Sequence, residues 1–460
     1  MRPWLATVLA AVATAAACAP SYGPAAAQLP GSFANAPVTR DEALAVFDSA
    51  WTRIHRSHYD STFNGVDWSG VRSELRPRAE SVRTTGALRS IIQEMLGRLG
   101  QSHFGLIPRE FADAVDPEAL HLPTAASERP GDVGMELRLH QDRVVVSSIV
   151  AGGPADLAGL HPGWTLEAID GRRLSDGVAR LAYLAEGADR RTGLTRFLYS
   201  MNARLDGPAA SHVTLRVRDG SDRVREIELV RREQPGEAVR IGNLPTLVAA
   251  LEYRRVDAAA GCTGIIRFNV WMIPLVREFD RAVDALRGCA GIVVDLRGNP
   301  GGVAGMLMGI AGHFLEEPVP LGVMRSRTGE LRFVANPRRV SAQGQAVRPY
   351  GGPIAILVDA MTASTSEFFA GGMQAIGRAR VFGETSAGQA LPAVVHRLPN
   401  QDVLMYVVAD YADPRGRRFE GAGVVPDVAV PLRAADLLAG RDAALDAALS
   451  WIAGARRTSS

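Results

Sequence analysis

Residues Ile356 to Gly372 read "ILVDAMTASTSEFFAGG". A buried β-run ends at Val358, and a small-residue stretch then enters a helical pattern. Thr362, Ser364, Thr365 and Ser366 crowd their hydroxyls into that strand-to-helix turn. In open α/β sheets, chemistry gathers at the carboxyl ends of strands. The cluster is therefore a candidate nucleophile, and it needs a partner to take its proton.

The surrounding pattern extends the same layer. From about Leu247 to Pro431, strands at "TGIIRFNV", "GIVVDLRG", "PIAILVD" and "ARVFGE" alternate with helices at "REFDRAVDAL", "GMLMGIAGHFL" and "SEFFAGGMQAIG". That alternation predicts an α/β core with a largely parallel sheet over 246–432. "VVDLRGNPGG" ends in Gly301 and Gly302, which lets backbone approach a ligand closely; Asp295 in the same run reads as structural. A serine at one strand end facing glycine amides at another is how a nucleophile meets an oxyanion hole.

Upstream, residues 132–232 contain short alternating strands, a Gly-Gly-Pro turn and a "DG" turn, with an amphipathic helical insertion at 176–205. Before them, 40–125 reads as a helical domain. "TRDEALAVFDSAWTRIHRSHY" opens on a Thr39 cap, and "TTGALRSIIQEMLGRLG" stops at Gly100, just before "QSHFG". Helical spacing reaches Leu106, and the tail from Ala434 to Ile452 reads as one more helix within 434–453. His55 and His58 sit three apart in "HRSHY" and read as a solvated helix face; no metal site and no cofactor is predicted.

The 460 residues allow two or three domains; 47% are hydrophobic and 22% charged. A formal net charge of +2 argues against nucleic acid as a partner. All 51 basic residues are arginine, so no mechanism that needs a lysine from this chain is open to it. Arg2 followed by the apolar run Trp4–Ala17 resembles an export signal over 1–27. Processing could occur at a lipoprotein-like box at Cys18 or after Ala27; either route exports the chain, to a bacterial periplasm or a lipid anchor. Beyond the signal only Cys262 and Cys289 remain, each ahead of a predicted strand. They either form a bridge at the same end of two parallel strands or stay as two buried thiols.

The motifs "DLRGNPGG", "TASTSE" and "GETSAGQA", in that order, resemble those of the C-terminal processing peptidases, or tail-specific proteases. "AGGPADLAGLHPGWTLEAIDG" is similar to their PDZ domain, with Trp164 where aspartate is usual. The resemblance implies a crotonase/ClpP-like core, Ser364 as nucleophile, and oxyanion amides from Gly302 and Thr365. Ser366 is assigned to helix capping. The family's base is a lysine, and Gln389 stands in its place, so a Ser-Lys dyad is excluded. "QEMLGRLGQSHFG" and "FEGAGVVPDV" instead resemble the tricorn-type branch, which implies His103 as base with Ser102 and Glu420 to orient and polarise it. An unperturbed imidazole titrates near ~6.5, and a carboxylate behind it should hold that value or raise it.

The reading is an exported serine endopeptidase that acts on protein or peptide C-terminal segments. Its PDZ-like groove would take the terminal carboxylate near Gly134, Met135, Glu136 and Leu137. The alternatives are a catalytically inactive PDZ scaffold and a carrier of a lipophilic ligand.

Overall fold

In a computed structural model of the chain, residues 36–109, 129–184, 186–239, 247–258 and 261–457 are described. The export signal over 1–27, Cys18 and the end of the expected helical domain lie outside them. Among the described residues no helix is long and apolar enough to cross a membrane.

The central sheet follows from strands that are apolar on both faces. Strands β9 (Gly291–Asp295) and β12 (Ile354–Val358) are buried at every position. Such strands need cover on two sides. On one side Ile292, Val294, Ile356 and Val358 meet Phe279, Leu307 and Phe368 from helices α7 (Leu275–Leu286), α8 (Met306–Ala311) and α9 (Thr365–Ala375). On the other, Val293, Ala355 and Leu357 meet Ala448 and Ile452 of α11 (Ala443–Arg457). The alternation is the period-two geometry of a strand. Sheet order is β7 (Leu251–Ala258), β8 (Gly261–Phe268), β9, β12, β13 (Ala379–Gly383), β17 (Val428–Ala429), with only β7 antiparallel.

The tail is two helices and not one. After α10 (Ala434–Leu438) the chain turns at Gly440, φ +67°, and restarts as α11. The turn places Asp442 on Arg297, which also holds Asp295, so that aspartate is structural as expected.

A second, antiparallel sheet runs β2 (Met135–His140), β3 (Arg143–Ile149), β4 (Thr165–Ile169), β5 (His212–Arg218), β6 (Val224–Val230). The insertion between β4 and β5 forms α5 (Ser175–Ala182) and α6 (Ala188–Leu205).

The N-terminal helices α1 (Arg40–Ser57), α2 (Trp68–Ser81) and α3 (Thr85–Gly97) bury Phe47, Leu75 and Met95 together. Thr39 and Glu42 cap α1 reciprocally. The helical pattern does not reach Leu106. Gly105–Ile107 is strand β1, because it pairs with β15 (Val403–Val407), whose antiparallel partner is β14 (Ala393–Arg397). These two strands escaped the sequence reading, as did the pair β10 (Val319–Ser326) and β11 (Gly329–Ala335) with β16 (Ala409–Ala412). Leu404, Tyr406 and Val407 complete the helical core, and buried Arg89 donates two hydrogen bonds to the Asp402 carboxylate. The helical region is thus joined to the α/β core through its own sheet. His58 corrects the sequence reading. It is buried, with Nδ1 on Asp60 O at 2.8 Å and Nε2 on Gln101 Oε1 at 2.9 Å, while His55 is exposed.

Cys262 and Cys289 are bridged across the neighbouring parallel strands β8 and β9, which resolves the open alternative. Mature protein that lacks residues 1–27, denatured without reductant, should therefore show no free thiol. Reduction should cost about 3.5 kcal/mol in urea unfolding for a loop of this separation. Two thiols titrating before reduction would contradict the bridge.

Candidate active site

Strand β12 delivers the turn that carries Ser364. The chain leaves Val358, turns through Asp359–Ala363 and reaches Ser364 at φ 54°, ψ −120°, immediately before α9. Positive φ is costly for a serine and persists only when neighbours impose it. Here Ser364 N donates to Gln389 O at 2.9 Å and to Glu367 Oε2 at 3.0 Å, while Ser364 O accepts from the Glu367 and Phe368 amides. The cap position of α9 is therefore Ser364 itself. Ser366, expected to cap, lies inside the helix and accepts from Trp271 Nε1 at 2.8 Å. Thr362 Oγ1 closes the turn on Leu296 O.

The glycines of "NPGG" are required by close approach. A Cβ at Gly301 (φ +97°) would lie 2.8 Å from Ser364 Cβ and 2.9 Å from Thr365 N. One at Gly302 (φ +141°) would lie 2.3 Å from Trp271 O. Gly302 O also accepts from Thr365 Oγ1 at 2.8 Å. Ser364, Thr365 and Gly302 are thus brought together.

The second group comes from the other end of the chain. After α3 the backbone turns at Gly100, and His103 has φ 60°. Ser102 Oγ lies 2.6 Å from His103 Nδ1 and donates to Glu420 Oε2 at 2.9 Å. Glu420 also accepts from the amides of Ser102 (2.8 Å) and Ala390 (2.9 Å). Because the Ser102 proton goes to the carboxylate, Nδ1 must donate to Oγ. The neutral ring then presents Nε2 as an acceptor, which is the tautomer a general base needs. Behind it, His58 holds Gln101, and Gln101 donates to the Tyr59 hydroxyl at 3.0 Å. Burial and the nearby Asp410 and Glu420 charges push Tyr59 up to about 12.

The step Gln389–Ala390 joins the two groups, since Gln389 pairs with Ser364 and Ala390 with Glu420. Glu367 organises that loop. Its carboxylate accepts from Ser364 N, Ser386 Oγ (2.6 Å), Gly388 N (2.8 Å) and Gln389 N (3.0 Å). Sequence reasoning passed over Glu367, although Ser364-x-x-Glu367 is a capping-box spacing.

Ser364 is 0% exposed and His103 6%; neither Ser364 Oγ nor His103 Nε2 has a hydrogen-bond partner among the described residues. Two unpartnered buried polar atoms are costly unless each awaits the other or a substrate. The direct bond between them is not made, as often happens before substrate binds. Burial lowers His103 to about 4, a correction to the expected value near or above the ordinary one. Burial also raises Glu420, against the bonds from Ser102 and Ala390, and lifts Glu367 to about 7 against its own donors. Among the described residues, no group of three or more His, Cys, Asp or Glu could hold a metal.

The four residues expected to bind peptide stand apart, at the start of β2. The Gly134 amide donates to Asp132 Oδ1 at 2.9 Å, Glu136 pairs with Arg267, and Leu137 N and O bond to the side chain of Asn202. Arg138, next along β2, reaches Asp359 of the Ser364 turn at 2.6 Å, and Asp359 accepts the Gly298 and Met361 amides.

Comparison with known proteins supplies an independent finding. The model of peptidase family S41 matches residues 263–430, and that of the tricorn protease C1 domain matches residues 39–97. A carboxyl-terminal-processing protease of Synechocystis sp. is 26% identical over 414 residues, covering 88% of this chain and 86% of that protein. The chloroplastic carboxyl-terminal-processing peptidase 2 of Arabidopsis thaliana is 28% identical over 403 residues, covering 85% and 69%. The structure of the photosystem II D1 C-terminal processing protease superposes with a TM-score of 0.57 at 23% identity, covering 85% of this chain and 93% of that one, so the α/β fold is shared.

Glu367→Gln places an amide donor among four donors, so kcat should fall by about a hundredfold or more and stability by about 2–3 kcal/mol. Thermal unfolding alongside single-turnover rates would separate the two effects. Because only neutral His103 can accept a proton, and burial lowers its pKa, kcat/KM should hold through mild acid and fall only below about pH 5. A limb centred near neutrality that disappears in Glu367→Gln would assign the titration to Glu367 and not to His103.

Proposed function

This chain is a serine-type peptidase of the carboxyl-terminal-processing family S41, and from that premise we propose that it is an exported endopeptidase with a Ser364–His103–Ser102–Glu420 apparatus. One observation carries the reading. Ser364 Oγ and His103 Nε2 are both buried and without a hydrogen-bond partner among the described residues, and one loop step, Gln389–Ala390, bonds both Ser364 and the Glu420 that supports His103. His103 takes the Ser364 proton as Oγ attacks the scissile carbonyl. Amides of Gly302 and Thr365 stabilise the developing oxyanion, at the start of α9 where the helix dipole favours negative charge. Collapse expels the amine with the proton returned by His103, and water then cleaves the acyl-enzyme. Ser102 and Glu420 stabilise the transient imidazolium, the role a carboxylate plays in any Ser-His apparatus.

Export rests on the 1–27 signal and gains support from the Cys262–Cys289 bridge, which persists in oxidising compartments. The substrate reading rests on the 132–232 domain, taken as PDZ-like. Its β2 is an edge strand onto which an extended peptide could add, with its C-terminal carboxylate toward Gly134.

Ser364→Ala should abolish cleavage of an unfolded protein and labelling by a fluorophosphonate, with the fold intact. His103→Ala should lower kcat by several orders of magnitude, about the scale of losing a triad base. Gln389→Ala should cost little by comparison, because Gln389 bonds the site through its backbone N and O. Labelling that survives Ser364→Ala would reject the nucleophile. Full activity without His103, or an essential Gln389 side chain, would reject the base.

A further inference from the structure

Leu137 sits where β2 is the outermost strand of its sheet. Opposite it across the ladder, Val146 sends both its N–H and its C=O the other way, to Trp164 O and Gly163 N. Leu137 therefore turns its own N–H and C=O outward, to the free edge, where an added strand would bind. That position is already filled from within the chain. Asn202 Oδ1 accepts from Leu137 N at 2.8 Å, and Asn202 Nδ2 donates to Leu137 O at 3.1 Å. A side-chain amide thus makes both of the bonds that one residue of an incoming peptide would make. Asn202 Nδ2 also bonds Leu198 O at 2.9 Å, which fixes its orientation.

The helix that carries Asn202 has a second set of contacts. Along one face of α6, Arg191, Thr195 and Tyr199 recur every four residues, and Asn202 follows three later. Arg191 Nε donates to Gly421 O at 3.2 Å, beside Glu420. Thr195 Oγ1 donates to Ala360 O at 3.0 Å, and the Tyr199 hydroxyl donates to Met361 O, both in the Ser364 turn. A single helix therefore holds both the β2 edge and the turn that leads to Ser364, whose side chain is fully buried.

We propose that Asn202 is an internal occupant of the β2 strand-addition edge, and that an extended peptide docks there only by displacing α6, which loosens the Ser364 turn. The inference rests on the strand-addition reading above. It narrows the ligand to a segment that can offer a backbone N–H and C=O pair in β conformation, and that outcompetes one asparagine amide.

The probe is fluorescein-Gly-Thr-Val-Thr-Val-Leu with a free carboxylate, read by anisotropy on the otherwise complete chain carrying Ser364→Ala to prevent cleavage. Asn202→Leu keeps the volume and removes both bonds, so Kd should fall about tenfold, while the Leu137 amide should lose hydrogen-exchange protection. Tyr199→Phe leaves Asn202 in place and removes the bond to Met361 O at the other end of the clasp, so it should tighten Kd about threefold. Saturating peptide should speed exchange across residues 359–366. An unchanged Kd in Asn202→Leu overturns the internal-occupant inference alone. An unchanged Kd in Tyr199→Phe, with exchange over 359–366 unaffected by peptide, overturns the linkage to the Ser364 turn. If neither variant nor parent binds the probe although the Leu137 amide has become exchangeable, the strand-addition reading fails and takes this inference with it.

Discussion

The buried carboxylate of Glu367 is the interaction on which the rest of the site depends. Four donors converge on it, from the Ser364 amide, from Ser386 and from the amides of Gly388 and Gln389. A serine at φ 54° does not hold that conformation by preference. It is held because the carboxylate beneath it needs those donors, and because the Gln389 carbonyl bonds the same amide. The same carboxylate fixes the loop that presents the Ala390 amide to Glu420. The positions of Ser364 and of the Ala390 amide are therefore set by one requirement, hydrogen bonds for a carboxyl group removed from water.

His103 reaches that frame from the far end of the chain through a joint of different character. Arg89 and Asp402 are paired in two bonds with almost no solvent contact, and β1 adds to the β14–β15 sheet two residues after His103. A buried arginine–carboxylate fork fixes direction as well as distance. With His58 and Gln101 behind it, the segment Gln101–Phe104 has little freedom to swing. Burial then keeps His103 neutral, the state in which Nε2 can take a proton.

Burial also leaves Ser364 closed to solvent, so substrate entry requires something to move. Among the described residues, Arg138 of β2 and one face of α6 hydrogen-bond to the Ser364 turn from outside the core. Both belong to the antiparallel domain, and both bond to Asp359, Ala360 or Met361 within five residues of Ser364. The Ser364 turn and that domain are thereby physically joined.

Local sequence determined a good deal. The buried strands at 291–295 and 354–358, their following helices, the glycine pair and the absence of any lysine were all legible, because periodicity, turn chemistry and composition are local properties. Ser102, His103 and Glu420 could be proposed from motifs, and the folded chain does bring those three together. Tertiary structure decided the rest. His58 looked solvated because a helical pattern does not reveal which neighbour covers it. Ser366 looked like a cap because the register of a helix start is uncertain by a residue or two. Gly105–Ile107 became a strand only through pairing with residues some 300 positions away, roughly the kind of long-range pairing that overrides local preference. The lowered His103 pKa, the four donors on Glu367 and the hold of Asn202 on Leu137 arise where segments distant in sequence exclude water together. Desolvation and hydrogen-bond satisfaction are properties of that shared enclosure, and no single segment contains them.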